Sequence, residues 1–345
     1  MAESVGEGDA ANPVAAIAAA LVRSGLVDSD LTVRLSALTG GVSSDIWKVE
    51  VDGRVFVVKR ALAKLRVAQD WRAPVSRNAA EAAWLRTAGA VVPGAVPRVL
   101  REDAATGLFA MDYLPPETHP VWKALLMQGV ADAGFAAAVG ATLARLHSAT
   151  DGDPAVAAAF ANAGTFHQIR LEPYLEATAS RHPALAEALM GLSHRTDAHR
   201  AALIHGDVSP KNILVGPAGP VFLDAECATY GDPAFDLAFC LNHLLLKCLV
   251  RPEAAAGYLA AFDALAGSFL AGVAFEPPEA LEARAAALLP ALFLARVDGK
   301  SPVEYLVDDA SRERVRAAAV PLVRTPPARL EAVRRHWAAA LEGTS

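Results

Sequence analysis

Two short stretches carry residues whose types and order suit chemistry. Residues 205–212 read "HGDVSPKN", and "VFLDAE" follows at 221–226. Between them they supply Asp207, Asn212, Asp224 and Glu226, set around two apolar runs. A carboxylate at the end of an apolar strand is costly unless a cation or hydrogen bonds compensate it. Hard carboxylate and amide oxygens suit Mg²⁺. One further carboxylate beside an attacking hydroxyl is then enough for phosphoryl transfer, which needs a metal clamp, a base and rigid positioning.

The spacing sharpens that reading. His205, Gly206, Asp207 and Asn212 fit the H-R-D-x-x-x-x-N catalytic loop, with Gly in place of Arg. Asp207 is the candidate base. Asn212 and Asp224 are the candidate metal ligands, and Glu226 makes a D-x-E pair with Asp224. Glu226 also reads as a solvated loop acid, and "HGDVSPKN" alone also reads as a surface turn. Lys211 stands beside Asn212, where a contact with the transferring phosphoryl group and a solvated loop lysine are both open. In "YGDPAFDLA", residues 230–238, Asp236 opens an apolar helix. It is either a helix-start acid or a support for the backbone of the His205–Asp207 loop.

Upstream elements must hold a nucleotide against these groups. "RVFVVKR" puts Lys59 late on a strand, on the face of Val55 and Val57, where Val57 would pack on an adenine. An edge-strand lysine that blocks aggregation is the plainer alternative. Glu81, on the helix that follows, is a candidate ion-pair partner for Lys59. The loop "TGGVSSD", with Gly40, Gly41 and Ser43, would cover phosphates with backbone N–H groups. The segment from Met111 through Tyr113 to Leu114 reads as a hinge.

These groups sit on a patterned chain. Asn12-Pro13 starts a helix that ends at Gly25, behind a tail over residues 1–11. "LTVRLSAL", "IWKVEV" and "RVFVVKR" read as strands, and Asp52-Gly53 marks a two-residue hairpin. "RNAAEAAWLR" reads as helix, and "VPRVLRED" and "GLFAMDYL" as strands. Beyond Asp112 helix dominates, with Phe135, Val139, Leu143 and Leu146 at helical spacing. A hairpin over "ILV" and "VFLD" around "GPAGP" interrupts it. A strand-rich first third and a helix-rich remainder make an α+β plan with two lobes, residues 1–111 and 112–345.

The order glycine loop, strand lysine, helix glutamate, HGD-x4-N and D-x-E resembles the aminoglycoside phosphotransferase and choline kinase group over roughly residues 30–310. That group is the small-molecule branch of the protein-kinase-like fold. The resemblance implies an antiparallel N-lobe sheet, a helical C-lobe, and MgATP in the cleft. It implies Asp207 as base, Asn212 and Asp224 as metal ligands, and His205 and Asp236 as structural support. "VVKRALAKLRVAQDWRAP" is similar to the stretch after the strand lysine in methylthioribose kinases, which share the D-x-E pair. Asn212 departs from them, because serine is expected there. A protein kinase is disfavoured: Gly206 replaces the arginine that reads a phosphorylated activation loop, and the span from Asp224 to Asp236 is too short for such a loop.

The expected acceptor is a small hydroxylated molecule, sugar-like. An aminoglycoside acceptor would need a dense acidic run in the C-lobe, and none is visible. A catalytically inactive kinase-like binding module would be expected to lack Lys59, Asp207, Asn212 or Asp224. In "ARVDGKSPVEY", Arg296, Asp298 and Lys300 either face the acceptor or cap helices. His194, Arg195, His199 and Arg200 read as a solvated helix face, and Trp71 and Tyr230 as core.

Composition narrows the classes. The chain has 345 residues, net charge −6 and 53% hydrophobic residues. That excludes bulk disorder and lacks the basic footprint of a nucleic-acid binder. Cys227, Cys240 and Cys248 are spaced for neither a metal site nor a disulfide framework. The polar, acidic N-terminus does not read as a signal peptide, and the apolar runs read as too short and too interrupted for a membrane span. The expectation is a cytoplasmic monomer or homodimer without membrane or nucleic-acid partners.

Overall fold

The computed structural model describes residues 13–29, 31–38, 44–61, 77–103 and 105–343. The chain divides into two compact units, Met1–Ala79 with Arg98–Tyr113, and Ala80–Pro97 with Leu114–Ser345.

The first unit contains α1 (Pro13–Arg23), β1 (Arg34–Ala37), β2 (Ser44–Val51), β3 (Arg54–Ala61), the start of α2 (Arg77–Val91), β4 (Val99–Asp103) and β5 (Leu108–Asp112). Helix α1 starts at Pro13, as expected; its proposed cap Asn12 and the tail lie outside the described residues. The sheet order is β1-β2-β3-β5-β4, antiparallel throughout. Asp52 and Gly53 turn the β2–β3 hairpin with φ of 47° and 70°, the paired positive φ that the right-handed strand twist requires of a two-residue loop. Strand β1 is shorter than the apolar pattern over 31–38 suggests. Ile17, Leu21 and Val27 pack with Val49, Val51, Phe56, Val58, Leu108 and Ala110 as one core. The Asn78 amide donates to the carbonyls of Lys59 at 3.0 Å and Gly107 at 2.6 Å. It thereby ties the start of α2 to the sheet.

The second unit holds the rest of α2 and a helical body. In chain order come α3 (Trp122–Met127), α4 (Ala133–Thr150), α5 (Pro154–Ala159), α6 (Ala163–Phe166), a π-helical segment (His167–Glu176), α7 (Ala177–Arg181) and α8 (Ala186–Ala198). Four short strands follow: β6 (Ala202–Ile204), β7 (Ile213–Gly216), β8 (Gly219–Phe222) and β9 (Thr229–Gly231). The chain ends in α9 (Pro233–Val250), α10 (Ala255–Ala271), α11 (Pro278–Asp298), α12 (Asp309–Arg324) and α13 (Leu330–Glu342). β7 and β8 form the expected hairpin, while β6 pairs with β9 across the intervening loop. The β6–β9 pairing has no local sequence signal, since each strand is three residues long.

Helix α9 is the spine of this unit. Asp232 caps it, accepting from the Ala234 N–H at 3.0 Å, with Pro233 in its first turn. By length and apolarity two segments, Pro233–Val250 and Pro252–Ala271, could cross a membrane, where none was expected from the sequence. The first is a core helix of this fold, with 89% of its window buried. The second packs on α4 at Gly140, where a Cβ would lie 2.3 Å from the Leu265 carbonyl oxygen.

Candidate active site

The loop after β6 is built around Asp236, in the first turn of α9. Its two carboxylate oxygens accept the backbone N–H groups of His205 and Gly206, each at 2.8 Å. His147 on α4 reaches the same carboxylate through Nε2 at 3.2 Å. Asp236 is thus an acid of the first turn of α9 whose carboxylate also holds the backbone of the loop. Gly206 has φ +76°, and a Cβ there would meet the Cys227 carbonyl oxygen at 3.0 Å and its Sγ at 3.1 Å. Both the backbone conformation and the space therefore call for glycine.

His205 fixes the loop from the other side. Its Nε2 donates to the Leu223 carbonyl at 3.0 Å, and its Nδ1 accepts the Asp207 N–H at 3.1 Å. That pattern suits the neutral ring. Burial holds the His205 pKa below its ordinary value, although the nearby Asp236 and Asp207 pull the other way. Trp84 on α2 packs edge-on against the imidazole at 4.8 Å.

Asp207 is buried and faces two cations. Arg170 Nη2 lies 2.7 Å from Asp207 Oδ2, and Lys211 Nζ lies 3.4 Å from the same oxygen. Burial alone would push the Asp207 carboxyl up, but Arg170, and then Lys211, outweigh it and hold the pKa below its ordinary value. Lys211 is half exposed, and the Asp207 charge holds its ammonium above the ordinary lysine value.

Arg170 is the residue that the sequence reading missed. It sits in the π-helical segment between the buried Ile169 and Leu171. Its Nε donates to the Gly206 carbonyl at 2.7 Å and its Nη1 to the Ile169 carbonyl at 2.6 Å. The stretch around Arg170, "HQIRLEP", is of mixed polarity, so no local pattern marked this residue. Its guanidinium carbon stands 5.9 Å from the Phe239 ring centre.

The oxygen donors collect at the β7–β8 hairpin. The Asn212 side-chain N–H₂ donates to the Asp207 carbonyl at 3.1 Å, leaving the amide oxygen as the atom suited to a cation. The Leu223 N–H donates to the Asn212 carbonyl at 2.9 Å, which joins Asn212 to the strand leading into Asp224. Asp224 takes φ +66°, an uncommon left-handed conformation for a non-glycine residue and one concentrated at functional sites. Glu226 is buried. It is therefore not the solvated loop acid of the plainer reading. Among the described residues no three His, Cys, Asp or Glu side chains converge as a metal cage. An amide oxygen with one or two carboxylates fits Mg²⁺, which keeps waters and substrate phosphates as its remaining ligands.

In the first unit, Val57 and Met111 are cross-strand partners on β3 and β5, and both are buried. Lys59 is 2% exposed, which removes the solvated edge-lysine reading, whereas Val55 on the same strand is 43% exposed. Lys48 stands over the Tyr113 ring at 5.1 Å. Glu81, in the second unit, is buried on α2. Gly40, Gly41, Ser43 and Trp71 lie outside the described residues.

The segment 295–305 resolves into separate roles. Asp298 accepts from Arg316 through both oxygens, at 2.9 and 2.8 Å, and from His182 at 2.8 Å. Lys300 pairs with Glu172. Arg296 instead turns inward, donating to the Tyr174 hydroxyl at 3.0 Å. On and after α8, His194, Arg195 and Arg200 are exposed, as expected, while His199 is half-buried; Tyr230 is buried, as expected.

Comparison with known proteins agrees with this architecture. A methylthioribose kinase from Erwinia tasmaniensis is 27% identical over 223 residues, 57% of this chain and 55% of the relative. One from Pectobacterium atrosepticum is 27% identical over 237 residues, 61% of this chain and 58% of the relative. The chain thus spans little more than half the length of these curated relatives. Among solved structures, a choline/ethanolamine kinase family protein from Mesorhizobium loti superposes with TM-score 0.52 at 19% identity, covering 96% of this chain and 99% of its own. An amicoumacin kinase in complex with AMP-PNP and Ca²⁺ superposes with TM-score 0.54 at 13% identity, covering 86% and 90%. These likenesses place the fold as the protein-kinase-like one. Residues 34–269, which contain the lysine strand and the whole Asp207–Asp236 constellation, match one family throughout, and the chain is a member of it: the phosphotransferase enzyme family.

Proposed function

We propose that this chain is an ATP- and Mg²⁺-dependent kinase that moves the γ-phosphate of ATP to a hydroxyl of a small, sugar-like acceptor. The observation that carries this reading is the buried Asp207 carboxylate. It is fixed by a loop whose backbone is clamped by Asp236 and joined through Asn212 to the strand entering Asp224. The 27% identity to methylthioribose kinases supports the sugar-like acceptor.

Asp207 stays ionised at neutral pH and accepts the hydrogen bond of the acceptor hydroxyl. A carboxylate held this acidic is a weak base. That suits a loose transition state, in which the attacking oxygen has little bond to phosphorus and its proton leaves late. Asn212, Asp224 and Glu226 would hold the metal ion, which would supply positive charge against the phosphates of ATP. Val57, Lys59, Met111 and Tyr113 are the candidate nucleotide-binding residues of the first unit. Lys211 meets the transferring group. Use of ATP as donor would suit a cytoplasmic location.

The test is a coupled ADP-release assay with MgATP and a panel of methylthioribose, pentoses, choline, homoserine and aminoglycosides. Asp207→Asn is expected to lose about 10²–10⁴-fold in kcat while still binding ATP. Turnover equal to wild type would overturn the assignment.

A further inference from the structure

Helix α9 carries a row of side chains that begins at the catalytic loop and ends in two polar residues, His243 and Lys247, that the phosphoryl-transfer assignments above do not use. Asp236, Phe239, His243 and Lys247 recur at helical spacing on one face. Asp236 clamps the loop, Phe239 lies by Arg170, and the stripe then runs away from Asp207 into a group of cations. His243 stands 5.7 Å from Phe239, ring to ring, and its Nδ1 is 3.4 Å from the Tyr305 hydroxyl. Lys247 Nζ lies 3.7 Å from the centre of the Tyr305 ring, and Lys123 Nζ lies 5.9 Å from the same ring. Arg296 donates to the Tyr174 hydroxyl, and the Tyr174 ring packs 5.4 Å from Phe239.

The Lys247 ammonium is the anomaly. Its residue is 0% exposed and its Nζ has no hydrogen-bond partner. Arg296 Nε is likewise buried without a partner. A buried ammonium with no acceptor is strongly penalised, and a tyrosine face offsets only part of that. Burial, and then Lys123, push the Lys247 pKa down to about 7. The acid of this group, Glu304, pairs with Lys123. An anion beside Tyr305 would provide the missing acceptor and offset the excess positive charge. Tyr305 is half-buried and follows α11 in the segment that covers Lys247.

We propose that the acceptor is an anionic hydroxylated molecule whose carboxylate or phosphate is held by Lys247, with Arg296 and the Tyr305 hydroxyl, while its hydroxyl meets Asp207. This inference rests on the kinase reading above and names its substrate class. The 1.5 Å rise per residue separates the level of Phe239 from that of Lys247 by on the order of 10 Å. Sugar acids and sugar phosphates are acceptors of this class. The same cations repel a polycationic aminoglycoside.

Two measurements test it independently of each other. The first is the thermal stability of wild type and Lys247→Met with inorganic phosphate or acetate added. A Tm rise in wild type that is lost in Lys247→Met is expected, since anion held at the nucleotide site affects both proteins equally. No rise, or equal rises, overturns the subsite. Lys247→Gln replaces Lys247→Met if the latter does not fold. The second is ADP release with D-gluconate against D-glucose and ribose 5-phosphate against ribose. The expected ratio of kcat/KM, anionic over neutral, is at least about tenfold in wild type and falls toward unity in Lys247→Met. Equal rates on both members of each pair, or preference for an aminoglycoside, overturn the proposal. No release from any acceptor, together with a Lys247-dependent Tm rise, counts against the kinase reading and leaves the anion subsite standing.

Discussion

Arg170 and Asp207 form a buried ion pair, Nη2 to Oδ2 at 2.7 Å, while the same guanidinium holds the Gly206 carbonyl at 2.7 Å. One side chain therefore sets both the charge state and the backbone of the candidate base. Replacing it changes pH behaviour and geometry together, and the two are separable.

Removing the guanidinium raises the Asp207 pKa, because Arg170 is the largest influence holding it down against burial. In Arg170→Met the acidic limb of the kcat/KM profile is expected to move to higher pH, with Arg170→Lys in between. For folding, a carboxyl whose folded pKa is depressed adds stability above its unfolded pKa and loses it as pH falls through the folded value. Wild type should therefore lose more stability than Arg170→Met on going from neutral pH into the acid range. Urea denaturation at several pH values reads this, and parallel curves for the two proteins would contradict it.

Asp236→Asn offers one oxygen where two backbone N–H groups now bind. One buried donor is left unpaired, at a cost of about 1–3 kcal/mol. Equilibrium denaturation should show that loss, and kcat should fall more than the affinity for ATP.

Gly206→Ala places a Cβ at positive φ against the Cys227 carbonyl and sulfur. The backbone term is about 1–2 kcal/mol and the overpacking about 1–3 kcal/mol. Adding Cys227→Ala should recover part of the second term and none of the first. A double-mutant cycle with no coupling energy would reject this account.

The three cysteines are buried and unpaired. Burial pushes all three thiols up, Cys248 to about 12. The native protein should be almost inert to a disulfide thiol reagent and react at all three sites once denatured. A fast native reaction at any of them would show that the loop or α9 opens locally.

What the sequence determined by itself is local. The Asp52-Gly53 hairpin, the strand holding Lys59, the turn between β7 and β8, and the order of Asp207, Asn212, Asp224 and Glu226 are legible because period, turn chemistry and spacing act over a few residues. Family resemblance rests on the same short stretches. Tertiary packing decided the partners. Arg170 and Gly206 are 36 residues apart, and His205 and Asp236 are 31 apart. The three-residue strands β6 and β9 have no pattern of their own, and they pair because α9 and the loop bring them together. The cations around Tyr305 come from α3, α9 and α11, which meet only when apolar faces pack. Long-range pairs of this kind follow from which surfaces are buried together, and no spacing within a single segment encodes them. The charge of Lys247 and the acidity of Asp207 belong to that level, since each is set by neighbours that the linear chain keeps far apart.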